Sequence, residues 1–270
     1  MIKLVISDLD GTFLNSQGEF NRERFGKVKE LMKSKGVIFT ACTGKQGERV
    51  EELFGAEYAK DIWILGDSAT RIKYNGEYVY ESLLGNEVGL EIITKLEEIE
   101  DDHTVIACTP TTAFIKDTTP EASIKRVRGS YTNVEILSDY QTIAEDFVKI
   151  TVYDPKLRCY ESVKHLDPFN AAAFIVASEA AWIDIANKGV HKGSTVQKLQ
   201  EILNISYEET MVFGDGYNDR ELLASGKYSF AMRNAFEELK EIANYITRSN
   251  DEEGVLLAVE EFLALQANIN

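Results

Sequence analysis

The chain has 270 residues, 44 % hydrophobic and 10 % aromatic, and a formal net charge of −16. This composition suits one large folded domain, or a domain with a sizeable insert, and excludes a disordered chain. The acidic field excludes a nucleic-acid partner, and it would repel even a small anion unless a metal or a placed lysine supplied local positive charge.

The N-terminal apolar run stops at acids and is too short for a signal peptide. No stretch approaches the ~18 apolar residues of a membrane span, so the chain reads as soluble and cytoplasmic, without a membrane partner. Cys42, Cys108 and Cys159 are widely spaced and form no C-x-x-C, so they read as reduced, packed thiols rather than a disulfide or zinc framework.

In chain order, Leu4 to Ser7 is an apolar run ending at an acid cluster, the pattern of a buried parallel strand. A helix follows with Phe25, Val28, Leu31 and Met32 on one face and Gly36 as its stop. Val37 to Ala41 predicts a second strand, Val50, Leu53 and Phe54 a short helix ending at Gly55, and Ile62 to Leu65 a third strand. This alternation predicts a parallel sheet with helical crossovers.

The rhythm then breaks. Arg71 to Tyr80 alternates around Asn75-Gly76, a tight-hairpin signal. From about residue 85 to 186, a helix (Leu90, Ile93, Leu96) and strand-like runs at 105–107, 148–152, 173–176 and 182–185 are separated by long polar segments, which predicts an inserted α+β domain. The first rhythm resumes with a helix face of Val196, Leu199, Ile202 and Leu203, a strand at Met211 to Phe213, and a C-terminal amphipathic helix carrying Val255, Leu256, Val259, Phe262 and Leu263. The expected organisation is an α/β, Rossmann-like core from 1–84 and 187–270, interrupted by a cap at 85–186.

Two predicted strands end in acids, at Asp8-Leu9-Asp10-Gly11-Thr12 and at Gly214-Asp215-Gly216-Tyr217-Asn218-Asp219. In an open parallel sheet, both clusters would meet at the carboxyl edge, where ligands bind. Carboxylates brought together repel, and a divalent cation relieves the repulsion; oxygen ligands with room for water and phosphate suit magnesium. A lone D-x-D is ordinarily a solvated turn, but two such clusters in one chain argue for a site. Thr43-Gly44-Lys45, after the second strand, offers a hydroxyl and a backbone N–H to an anion. Lys192, at a predicted helix start, can supply the fixed positive charge.

This combination resembles the haloacid dehalogenase superfamily of phosphatases: DLDGT its first motif, Thr43 its second, Lys192 its third and GDGYND its fourth. The insert and the tail resemble the Cof-type branch with its C2 cap. The resemblance implies hydrolysis of a small phosphorylated metabolite, a sugar phosphate by default, through an aspartyl phosphate. Asp8 would be the nucleophile, and Asp10 the acid that protonates the leaving oxygen and then activates water. Mg²⁺ would be held by Asp8, the Asp10 carbonyl and Asp215, with Asp219 orienting metal-bound water. Thr43, Gly44 and Lys192 would hold the phosphoryl oxygens, with Asn218 close by. The chain departs from the branch at Lys45 (commonly arginine), at Asp67-Ser68-Ala69 (commonly N-G-A) and at Arg233 (commonly glycine), which bears on the substrate rather than the chemistry.

Three other readings stay open at this point: a sugar phosphomutase with the same nucleophile, a non-catalytic phosphate-ester binding module, and a serine esterase built on Gly66-Asp67-Ser68. The esterase lacks a suitably spaced acid–histidine pair. Lys125, Arg126 and Arg128 form a basic cluster in the insert, either a solvated surface or a rim that draws in an anionic substrate.

Overall fold

The computed structural model describes residues 1–100 and 102–267. The chain enters an eight-stranded sheet through β1 (Leu4–Ser7), β2 (Ile38–Cys42) and β3 (Trp63–Gly66), with α1 (Arg22–Ser34) and α2 (Gly47–Ala59) as crossovers. Gly55 interrupts α2 with φ 75°, so the short helix does stop there before a further turn. The hairpin β4 (Arg71–Tyr74) and β5 (Glu77–Glu81) adds two antiparallel strands at one edge, turning at Asn75 and Gly76 with φ 48° and 87°.

A second sheet follows. Helix α3 (Asn86–Ile99) leads into β6 (Thr104–Cys108), β7 (Ala113–Lys116), α4 (Glu121–Ser130), β8 (Val134–Leu137), β9 (Lys149–Tyr153), α5 (Cys159–Ser162), β10 (Ala173–Glu179) and β11 (Trp182–Asn187). Its order is β10-β11-β9-β6-β7-β8, antiparallel except for β7–β8. The segment read as long polar connections thus holds β7, α4 and β8. Their apolar runs are short and half-exposed, too weak for a periodicity signal.

The chain returns to the first sheet through α6 (Lys192–Leu203), β12 (Thr210–Gly214), α7 (Arg220–Leu223), β13 (Tyr228–Ala231), α8 (Glu237–Ile242), β14 (Tyr245–Ile246) and α9 (Gly254–Ala267). The strand order is β14-β13-β12-β1-β2-β3-β4-β5, parallel from β14 to β3. The first acid motif thereby lies on the strand beside the last, since β1 and β12 pair directly.

Each sheet has its own apolar core, and Phe13, Phe25, Phe39 and Phe54 pack within 5.1–6.4 Å of one another directly behind the first motif. The helix faces are narrower than the sequence reading had them. Leu31 is 36 % exposed and Ile202 43 %, because the buried stripe of α1 runs through Phe25, Val28 and Met32, and that of α6 through Val196 and Leu199.

Candidate active site

The carboxyl ends of β1, β2, β3 and β12 deliver Asp8, Thr43, Asp67 and Asp215 to one edge of the first sheet, and the N-terminus of α6 brings Lys192 to the same place. Lys192 is buried and donates to Asp8 Oδ1 at 2.6 Å and to Asp219 Oδ1 at 2.5 Å. The other oxygen of Asp219 accepts the backbone N–H groups of Asp215 and Gly216, each at 3.0 Å. Thr12 Oγ1 donates to Asp215 Oδ1 at 2.5 Å. Gly11 sits at φ 79°, where a Cβ would collide with the Asp215 carboxylate, so glycine is required to bring the two motifs together.

Electrostatics follow from this crowding. Burial pushes the Asp8 carboxyl well above its usual range; Lys192 opposes the shift, while Asp219 and Asp215 add to it. Burial and the neighbouring Asp219 raise Asp215 to about 7. Burial alone would lower Lys192, but Asp219 and Asp8 overcome it and hold the ammonium well above its ordinary value. Oxygen atoms of Asp8, Asp215 and Asp219 lie within 4.8 Å of one another. An all-oxygen set of like charges, two of them held against ionisation, fits a hard divalent cation such as Mg²⁺. Of the three, Asp219 is the least available as a ligand, since both its oxygens already accept hydrogen bonds.

These groups form the floor of a cleft of about 1060 Å³ between the two sheets. Asp8, Asp10, Thr43, Gly44, Asp215, Asn218 and Asp219 all line it; Lys192 lies just beneath, bonded to Asp8. Asp10 is exposed and pairs with Lys45. Lys125 and Arg126 reach the lining from α4, whereas Arg128 does not. Arg233 pairs with Glu252 away from the cleft, 60 % exposed.

Several lining groups escaped the sequence reading. Lys149, Thr151 and Tyr153 alternate along β9, and Trp182 and Asp184 along β11, each set on the one face that looks into the cleft. The signal was present as polar residues at period two inside apolar strands. Tyr131, Tyr160 and Glu179 complete this wall, and burial raises the Glu179 carboxyl, with Asp10 and Asp184 adding to the effect.

The turn Asp67-Ser68-Ala69 holds three successive non-glycine residues at φ 55°, 60° and 62°. Left-handed backbone costs roughly 1–2 kcal/mol per residue, and it is held here by bonds on every side. Asp67 N donates to Lys45 O at 2.8 Å, Ser68 N to Thr43 O at 3.1 Å, and Thr195 Oγ1 to Ala69 O at 2.5 Å. Ser68 Oγ bonds Asp184 and Lys149, with no histidine among its hydrogen-bond partners, so the acid–histidine pair of a serine esterase is not assembled there.

The haloacid dehalogenase-like hydrolase family matches residues 5–259. The chain belongs to that family. It is 29 % identical over 271 residues to the Escherichia coli K12 protein named 5-amino-6-(5-phospho-D-ribitylamino)uracil phosphatase YbjI, covering 98 % of each chain. A Bacillus subtilis protein of the same designation, YwtE, is 25 % identical, covering 98 % of this chain and 99 % of that one. Among solved structures, SMU.1108c from Streptococcus mutans superposes with a TM-score of 0.92 at 28 % identity, covering 98 % of this chain and all of that one. The enzyme is thus a phosphatase of the haloacid dehalogenase type, and the α/β core with its inserted α+β unit is the fold of the family. Among the described residues, no helix is long and apolar enough to cross a membrane.

Proposed function

We propose that the enzyme hydrolyses a small phosphate monoester in a Mg²⁺-dependent reaction through an aspartyl phosphate on Asp8. The observation that carries this reading is the buried Lys192 clamped between Asp8 and Asp219, with Asp215 beside them on the cleft floor. Mg²⁺ would be held by the Asp8 carboxylate, the Asp10 carbonyl and Asp215, with Asp219 fixing the arrangement from behind. Bound there, it would neutralise charge on the phosphoryl group.

The chain's own groups do the rest. A carboxylate oxygen of Asp8 attacks phosphorus while the ester P–O bond breaks, and Asp10 gives its proton to the departing oxygen. An alcohol leaves and an acyl phosphate remains on Asp8. Asp10, now a carboxylate, takes a proton from water, whose oxygen attacks phosphorus and releases inorganic phosphate and free Asp8. Lys192, Thr43, the Gly44 N–H and Asn218 hold the phosphoryl oxygens. Asp10 is exposed enough to turn between Lys45 and an entering ester.

We further propose residues 1–84 and 187–270 as the catalytic core and 85–186 as the specificity cap. A sugar phosphate satisfies the floor. The roof, with Tyr131, Tyr153, Tyr160 and Trp182 beside Glu179 and Asp184, favours an ester that also carries a planar ring with hydrogen-bond donors. The names of the two ribitylaminouracil relatives support the same class. Three free buried thiols and a metabolite substrate support a cytoplasmic setting.

Free phosphate released from a panel of sugar phosphates, nucleotides, pyridoxal phosphate and 5-amino-6-(5-phospho-D-ribitylamino)uracil, with Mg²⁺ and with excess EDTA, tests the reading. Release with Mg²⁺ and none in chelator is expected. Full turnover in EDTA, or phosphoryl return to the sugar without free phosphate as a mutase would give, overturns it.

A further inference from the structure

The three carbonyls of the Thr43-Gly44-Lys45 loop are each engaged, but not by the same part of the molecule. Thr43 O accepts from Ser68 N at 3.1 Å and Lys45 O from Asp67 N at 2.8 Å, both within the core. The middle one, Gly44 O, accepts from Lys149 Nζ at 2.7 Å, and Lys149 belongs to β9 of the second sheet. The same ammonium donates to Ser68 Oγ at 3.2 Å, and Ser68 Oγ donates to Asp184 Oδ1 at 2.8 Å, from β11. Asp184 lies 3.8 Å from Lys149, which is buried. Among the described residues the Gly44 N–H has no protein acceptor, and Gly44 lines the cleft.

We infer that Lys149, with Ser68 and Asp184, is a positioning device that completes the anion loop from the roof: by fixing the Gly44 carbonyl, it fixes the Gly44–Lys45 peptide, whose own N–H donates to Thr43 Oγ1 at 3.2 Å, and with it the loop that offers the Gly44 N–H and the Thr43 hydroxyl to the phosphoryl group. The inference rests on the phosphatase reading and adds to it a cap residue that acts through the loop. A buried ammonium needs its partners satisfied, and two of the three are supplied by the opposite half of the molecule. The strained turn has the same logic. Asn-Gly at 67–68 would take left-handed φ more cheaply. Asp-Ser keeps the conformation and adds the one hydroxyl that joins Lys149 to Asp184.

The probe is inorganic phosphate, titrated with Mg²⁺ into the full-length protein by calorimetry, with the phosphate-induced shift in Tm as a second readout. Lys149→Met keeps the apolar stem and removes the donor; it should weaken phosphate binding by about tenfold, the scale of one charge-assisted hydrogen bond, and lower kcat/KM in step. Lys149→Arg should retain most of the affinity. Ser68→Gly relieves the backbone and leaves the charge, yet should also weaken phosphate, because Lys149 loses an anchor. A purely structural role would lower the Tm of Lys149→Met without changing the shift that phosphate produces, and that result overturns the inference. So does Ser68→Gly binding phosphate as the wild type does beside a weakened Lys149→Met, since Lys149 would then meet the anion itself. A wild-type protein that binds phosphate but releases none from any ester would fail the hydrolytic reading alone, and the same titration would still decide the role of Lys149.

Discussion

The floor and the roof of the cleft are built on opposite rules. On the floor, charges are buried and tightly paired: Lys192 bridges Asp8 and Asp219, Thr12 caps Asp215, and two backbone N–H groups pin Asp219. On the roof, rings and hydroxyls from alternate positions of β9 and β11 present area, with exposed cations from α4 at the rim. The difference is one of task. Stabilising charge at a single phosphorus atom needs groups fixed to fractions of an ångström, whereas recognising the rest of a molecule needs shape and surface. Lys149 excepted, since it reaches from the roof to the anion loop, substitutions on the two sides should therefore separate.

The largest effect belongs to the floor. Asp8→Asn removes the attacking oxygen and should lower phosphate release by at least ~10⁴-fold, with the circular dichroism spectrum unchanged. A comparable loss on every ester from Trp182→Ala would erase the distinction. Instead, Trp182→Ala should reduce kcat/KM for the preferred ester by about tenfold, the upper scale of one aromatic contact, while the affinity for inorganic phosphate stays as it was. At the rim, Lys125→Ala and Arg126→Ala should each raise KM ~2–5-fold, as expected for exposed charges, and less so at high salt. Arg128→Ala should leave KM alone, because it lies outside the lining. Equal losses from all three would mean that net field, rather than position, draws the substrate in.

A further effect is on stability rather than on turnover. Burial raises the Asp67 carboxyl to about 6, against the pull of Lys149 and Arg71. Between about pH 4 and pH 6 the folded state binds the proton that the unfolded chain has released, so this residue makes stability fall as pH rises through that window. Asp67→Asn should flatten the slope, raising stability at pH 7 by up to the order of 2–3 kcal/mol, with little change near pH 4. Thermal melts across that range would show it; a pH slope unchanged by the substitution would count against the assignment.

The same contrast explains what the sequence disclosed. Asp8, Asp10, Asp215 and Asp219 stand in two short runs at strand ends, so adjacency in the chain already predicted adjacency in space. Strand–helix alternation gave the parallel sheet, and Asn75-Gly76 gave the hairpin. The roof has no such shorthand. Lys149, Trp182 and Tyr131 come from different parts of the chain and line one cleft only after a six-stranded, mainly antiparallel sheet has formed. Helix α4 and strands β7 and β8 were hidden for a related reason: they are short and half-exposed, and pairing with neighbours holds them more than their own periodicity does. Lys45 was read as part of the anion loop, and its pairing with Asp10 depends on a side-chain direction that spacing does not encode.

The most direct test of the central claim is mass spectrometry of the Asp10→Asn protein after brief exposure to p-nitrophenyl phosphate. The leaving group of that ester needs little protonation, so Asp8 can still attack, but no carboxylate remains to activate water, and turnover should drop by ~10²–10⁴-fold. A phosphoryl group should therefore accumulate on the protein, and peptide mapping should place it on Asp8. A label on Ser68, or turnover at the wild-type rate with no label on Asp8, would contradict the mechanism.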